Sequence, residues 1–174
     1  MCIIVVKQRG QAINEDRWWQ LENCFENNPD GAGLMFPWKG QVQVVKGFMD
    51  FDELRTWYEQ IEDSLKQVPV VFHFRFATHG EVSPAMCHPF PVSAEEGMLR
   101  AITTLAPFAV VHNGIISGLG DKIESDTYQF TRDYLAKFGR HLFRRSTKRY
   151  LKQSVGGNKF IIMSGTGYMQ IGDF

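Results

Sequence analysis

The sequence contains only three cysteines in 174 residues, Cys2, Cys24 and Cys87, and no secretory leader. An odd number without a leader argues against a disulfide framework and predicts free thiols in a reducing cytoplasm. The apolar start, Met1-Cys2-Ile3-Ile4-Val5-Val6, has neither the basic lead-in nor the small-residue cleavage site of a signal peptide. No apolar run approaches the ~20 residues needed to cross a bilayer, so no membrane partner is expected. Repeats and low-complexity stretches are missing as well. With 44% hydrophobic and 22% charged residues, disorder, collagen and coiled coil are excluded. His73, His79, His88 and His112 are not set at the close Cys/His spacing of a structural zinc site. Neither a metal nor a cofactor is expected.

Net charge is absent too, with 19 Lys and Arg against 19 Asp and Glu. The balance conceals a division. Residues 1–133 carry 11 cations and 18 acids, whereas residues 134–174 carry 8 cations and one acid, Asp173. The cations Lys137, Arg140, Arg144, Arg145, Lys148, Arg149 and Lys152 fall in a segment of about 137–157. Pairing with acids of residues 50–63, or contact with a protein partner, accounts for them better than nucleic acid. No zinc-finger or RRM-type aromatic motif accompanies them.

The remaining pattern is that of an α+β chain with a largely antiparallel sheet, in one domain over residues 1–174. Ile3–Val6 is a β-branched run and predicts a buried strand. Asn14 caps a helix with Trp18, Leu21 and Phe25 on one face, and Asn27-Asn28-Pro29-Asp30-Gly31 stops it. Gly33–Phe36 and Val42–Lys46 read as a hairpin. Asp50 or Asp52 opens a helix whose apolar stripe is Leu54, Trp57, Tyr58, Ile61 and Leu65. A strand follows over Val70–Ala77, then a loop-rich stretch from Gly80 to Pro107. Phe108–His112 is a further strand. Ser125 caps a helix to about Phe138, with Tyr134 among its inward residues, and a basic helix covers 141–153. Phe160–Met163 and Tyr168–Ile171 close the chain as a hairpin.

Four short segments carry chemistry. Once Met1 is removed, Cys2 combines a thiol nucleophile with an α-amine able to take its proton, although Cys is equally at home as a small buried residue. Arg75, at the end of a strand, can grip a carboxylate with two parallel bonds, or make an ordinary surface ion pair. Asn113 and the N–H of Gly114 can both aim at one oxyanion, or form a hairpin turn. Asp126 can accept from an ammonium, or favour a helix start.

In series, these segments resemble the class II glutamine amidotransferase (glutaminase) family of the N-terminal nucleophile hydrolases. Cys2 matches its nucleophile position, and Asn28-Pro29-Asp30-Gly31-Ala32-Gly33 resembles its Asp-Gly-x-Gly segment. Phe74-Arg75-Phe76-Ala77-Thr78-His79-Gly80 resembles its Arg-aromatic-Ala-Thr-His-Gly, and Cys87-His88-Pro89-Phe90 its Asn/Cys-His-Pro-Phe. His112-Asn113-Gly114 and Ser125-Asp126-Thr127 match two further motifs. The resemblance covers about residues 2–135, with a weaker echo in Lys159–Phe174.

The resemblance implies a four-layer α/β/β/α sandwich of two stacked antiparallel sheets. It implies that Cys2 attacks the side-chain amide of glutamine, expelling ammonia and leaving a γ-glutamyl thioester that water cleaves to glutamate. Asn113 and Gly114 would hold the oxyanion, Arg75 the α-carboxylate and Asp126 the α-ammonium. Thr78 and His79 would shape the pocket. Two departures stand out. Ile3 occupies a position that is usually Gly, and the basic segment has no counterpart. No acceptor domain follows Phe174, so an acceptor for the ammonia is expected on a separate protein subunit, or there is none and the chain is a free-standing glutaminase. Two other readings stay open: a hydrolase of other γ-glutamyl amides or peptides, and a non-catalytic regulatory or binding module that keeps the fold.

Overall fold

The β-branched start forms β1 (Ile3–Lys7), which pairs antiparallel not with its sequence neighbours but with β4 (Val70–Phe74), Ile3 lying opposite Phe74. This is a computed structural model describing residues 1–154 and 156–174. Val155, within the basic segment, lies outside the described residues.

Helix α1 (Glu15–Asn27) begins where Asn14 accepts the Arg17 N–H through its side chain, with Glu15 and Asp16 favoured by the positive end of the helix. Helix α2 (Phe51–Leu65) is capped by Asp50, whose carboxylate accepts from the N–H groups of Asp52 and Glu53. Its last turn has no cation of its own. Lys7 of β1 supplies one, donating to the carbonyls of Leu65 (2.8 Å) and Val68 (3.0 Å). Between the helices, β2 (Ala32–Trp38) and β3 (Gln41–Phe48) form a hairpin. Its two turn residues, Lys39 and Gly40, both have positive φ, as a type I′ turn requires.

All strand pairings are antiparallel and fall into two sheets. One has the order β1-β4-β2-β3-β6, with β6 spanning Thr103–Ala106. The other comprises β5 (Phe90–Pro91), β7 (Phe108–Asn113), β8 (Lys159–Ser164) and β9 (Gly167–Ile171). The period of two along each strand divides its side chains between clusters. Leu34, Phe36, Val70 and Phe72 pack with Trp18, Leu21, Leu54 and Tyr58 of the first two helices. Met35, Val44 and Val71 instead meet Ala109, Val111 and Ile161 of the second sheet. Val110, Phe160 and Ile162 turn the other way, onto Tyr128, Leu142 and Leu151. The arrangement is compatible with a sandwich of two sheets.

Several boundaries differ from the sequence reading. The strand expected over Val70–Ala77 ends at Phe74, because the Arg75 backbone leaves the ladder to pair with Asp30 and Gly31. The stretch between Gly80 and Pro107, expected to be loop, contains β5, α3 (Glu96–Arg100), β6 and a 3₁₀ turn at Pro84–Met86. Pro84 occupies a 3₁₀ first position and Pro91 an edge strand, where no backbone donor is needed. The helix capped by Ser125, α4 (Asp126–Asp133), stops early, and Tyr134 is half exposed rather than inward. A 3₁₀ segment then turns at Gly139 (φ 47°), which lets both Leu135 and Leu142 be buried. The basic helix, α5, is Arg145–Ser154. Among the described residues its cations make no ion pair with residues 50–63.

Candidate active site

The register of β1 on β4 builds the first half of the site. With Ile3 opposite Phe74, the residue before β1 and the residues after β4 stand together. The Phe76 N–H donates to the Cys2 Sγ at 3.5 Å, and the same sulfur lies 3.6 Å from the Phe76 carbonyl oxygen. Burial pushes the Cys2 thiol up from its ordinary range. The Phe76 bond and the charges of Arg75 and the N-terminus pull the other way, while Asp126 adds to the rise. A thiol held in its neutral form needs a base before it can attack.

Arg75 is 2% exposed. Its guanidinium donates to the carbonyls of Glu81 (2.8 Å), His79 (3.0 Å) and Gly80 (3.4 Å). It therefore gathers the segment after β4 around itself, and with five N–H donors it has capacity beyond these three bonds. Asp30 fixes the same segment from the other side, accepting the Ala77 N–H at 2.7 Å.

The second sheet supplies the rest. His73 of β4 and His112 of β7 link the sheets, the His73 Nε2 lying 2.9 Å from the His112 carbonyl oxygen. The His112 ring bonds Thr127 Oγ1 at 2.8 Å and Asn158 Oδ1 at 2.7 Å and stacks on Phe160. His88 stacks on His73 with ring centroids 4.1 Å apart, and neither of its ring nitrogens meets a hydrogen-bond partner among the described residues. Burial pushes His73 down to about 3 and lowers His88 and His112 as well, so all three are neutral at pH 7.

Asn113 and Gly114 follow His112 at the end of β7. The Asn113 Oδ1 is buried with no hydrogen-bond partner among the described residues. Gly114 has φ 144°, and a Cβ there would run into the Asn158 side chain and His112. The pair is not a hairpin turn: the chain continues through a loop to Ser125, the cap of α4. Asp126, the first residue of that helix, accepts from the Ile116 N–H (2.7 Å), the Thr127 N–H (2.7 Å) and the Thr127 hydroxyl (3.2 Å). The Gly80 N–H donates to the Asp121 carbonyl and the Glu81 N–H to that of Ile123, so the Arg75 segment and the loop before α4 are joined.

One cleft is lined by Cys2, Arg75, Thr78, His79, Gly114 and Asp126, together with Phe76, Ala77, His88, His112, Ser125 and Thr127. Asn113 is not on its wall. Sequence reasoning assigned no role to Asp30, Thr127 or Asn158. Asp30 stood in a recognisable Asp-Gly motif, but Asn158 lies 46 positions from its partner His112, and no local pattern announces it.

Over 147 residues the chain is 30% identical to the glutamine–fructose-6-phosphate aminotransferase (isomerizing) of Nostoc sp. (strain PCC 9229). The matched stretch makes up 84% of this chain and 20% of that relative, so the chain spans about a fifth of the relative's length. The chain is thus distantly related to an aminotransferase that uses glutamine. No protein-family model matches it. Among the described residues no helix is long and apolar enough to cross a membrane.

Proposed function

We propose that the chain is a class II glutamine amidotransferase (glutaminase) domain of the N-terminal nucleophile type, hydrolysing glutamine to glutamate and ammonia. The observation that carries this reading is the meeting of Cys2 with Arg75 and Asp126 in one cleft. Free glutamine is a zwitterion, and one guanidinium and one carboxylate complement its two charged ends. Asp126 accepts three bonds and, with about four lone-pair sites, can take one more from an α-ammonium. Arg75 has donors left for an α-carboxylate.

Removal of Met1 exposes the Cys2 α-amine. That amine takes the thiol proton, the sulfur attacks the side-chain carbonyl, and Gly114 N–H with the Asn113 amide stabilises the oxyanion. The amine passes the proton to the departing nitrogen, which leaves as ammonia. Water then cleaves the thioester to glutamate and restores the thiol. The neutral, buried thiol fits this order of events, because proton removal and attack are coupled. Thr78 and His79 shape the wall beside Arg75. The space between the lining groups is about 20 Å3, enough for one water. Substrate entry therefore requires the lining of the cleft to open.

The deciding experiment combines intact mass with ammonia release from glutamine and from γ-glutamyl peptides, for the natural protein and Cys2→Ala. Loss of Met1 and abolition of ammonia release in Cys2→Ala are expected. Retained Met1 in the active protein, or undiminished release by the variant, overturns the mechanism.

A further inference from the structure

The Met1 carbonyl oxygen accepts a hydrogen bond of 2.8 Å from the Asn28 Nδ2. Asn28 is 4% exposed, and its backbone N–H closes α1 on the Phe25 carbonyl. The same amide nitrogen lies 3.4 Å from the Phe74 carbonyl oxygen, at the end of β4. Its position is therefore fixed by the helix end and the strand end together, independently of Met1.

Hydrolysis of the Met1–Cys2 bond adds water across it, releases methionine with its carboxylate, and leaves an amine on the Cys2 nitrogen. A carbonyl oxygen and the nitrogen of the same peptide are ~2.2 Å apart by standard bond lengths. The Asn28 amide thus stands within roughly 5 Å of the new amine, and it has just lost its Met1 acceptor. Phe74 remains as the acceptor for Nδ2, and the new amine is a polar group in need of an acceptor, which the amide oxygen can supply.

We propose that Asn28 is the positioning residue for the Cys2 α-amine, a proposal that rests on the reading of Cys2 as an N-terminal nucleophile. The amide keeps Phe74 through Nδ2 and accepts an amine N–H through Oδ1. Holding that N–H turns the remaining lone pair toward the thiol. It also favours the charged amine, and so sets the pH at which the base becomes available. The sequence marks this position as part of a helix stop and as the start of the Asn28–Gly33 segment, without assigning it a role.

The experiment uses the full chain behind a removable leader, so that Cys2 is the first residue of every protein and intact mass confirms it. Natural protein, Asn28→Ala and the isosteric Asn28→Asp are compared by trace acetylation of the α-amine across pH, read by mass spectrometry, and by glutamine kinetics. The amine midpoint of Asn28→Ala is expected to fall by roughly half a unit or more, and that of Asn28→Asp to rise above the natural protein. In Asn28→Ala, kcat is expected to drop about tenfold with KM within about twofold, and Asn28→Asp to recover part of kcat at alkaline pH. Equal midpoints in the three folded proteins overturn the proposal. If midpoints shift but the natural protein releases no ammonia, the glutaminase reading fails and the placement of Asn28 stands. If ammonia is released with unchanged midpoints, the reverse holds.

Discussion

The Asp30 carboxylate accepts the Ala77 N–H at 2.7 Å, pinning the turn after α1 to the segment that Arg75 organises. The backbone adds two more ties, Asp30 N–H to Arg75 and Arg75 N–H to Gly31. Asp30→Ala removes the side-chain tie and leaves both backbone ties in place. We expect global stability to fall by about 1–2 kcal/mol. Amide exchange at residues 76–81 should speed up, with kcat/KM for glutamine down about tenfold. Unchanged exchange there would show that the carboxylate does not hold the segment.

Gly114 has no room for a side chain. Gly114→Ala would force a Cβ toward Asn158 and His112 at a φ that residues other than glycine rarely adopt. Displacing an oxyanion donor typically costs ~10²–10³ in rate. We therefore expect kcat to fall at least a hundredfold, while glutamate, the product, binds within a few-fold of normal. Near-normal turnover would remove Gly114 from the oxyanion site.

The buried histidines make the fold acid-sensitive. Burial lowers His73 to about 3 in the folded chain, whereas an unfolded histidine titrates near 6.5. Between those values the unfolded state binds the extra proton, so stability is complete above about pH 6.5 and is lost as pH falls toward 3, by ~1.4 kcal/mol per unit for one such group. His88 and His112 shift in the same direction. Urea midpoints measured from pH 7 to 4 should fall steeply, and His73→Phe should flatten the slope by about one proton. An unaltered slope would show that His73 is not the group responsible.

The cationic stretch around α5 lies outside the cleft. Arg144, Arg145 and Arg149 are exposed and unpaired among the described residues, and the first turn of α5 contains no acid. Neutralising all three to Gln should leave glutamine hydrolysis within about twofold, as surface changes of this kind usually shift stability by little. Transfer of ammonia to a separate acceptor protein should weaken. Abolished hydrolysis in a folded variant would show that the segment belongs to the catalytic unit.

Sequence patterning revealed the parts of this chain whose cause is local. Asn14, Asp50 and Ser125 cap the helices that begin immediately after them, because a short polar side chain next to an apolar stripe leaves little else to do. The β2–β3 hairpin and the closing hairpin were legible for the same reason. What depends on distant partners was not. The strand before Ala77 ends at Phe74, with Arg75 and Ala77 bonded to residues 30–31, and α4 ends at Asp133 although the helical stripe continues to Phe138. The candidate site divides in the same way. Cys2, Arg75 and Asp126 declare themselves by chemistry and motif. The Thr127–His112–Asn158 network that backs Gly114 joins residues of two recognised motifs to Asn158, which has no signature along the chain.

The first strand works as a ruler. Ile3 and Val5 pack toward the helices, while Ile4 and Val6 pack between the sheets. An extra residue inserted between Cys2 and Ile3 would leave those four side chains in place and carry the sulfur ~3.3 Å away from Phe76. A deletion within β1 would exchange the two faces and bring Lys7 out of reach of the carbonyls it caps. The alternation of side chains between two buried faces, usually read as a device for burying surface, here also sets where the Cys2 sulfur falls.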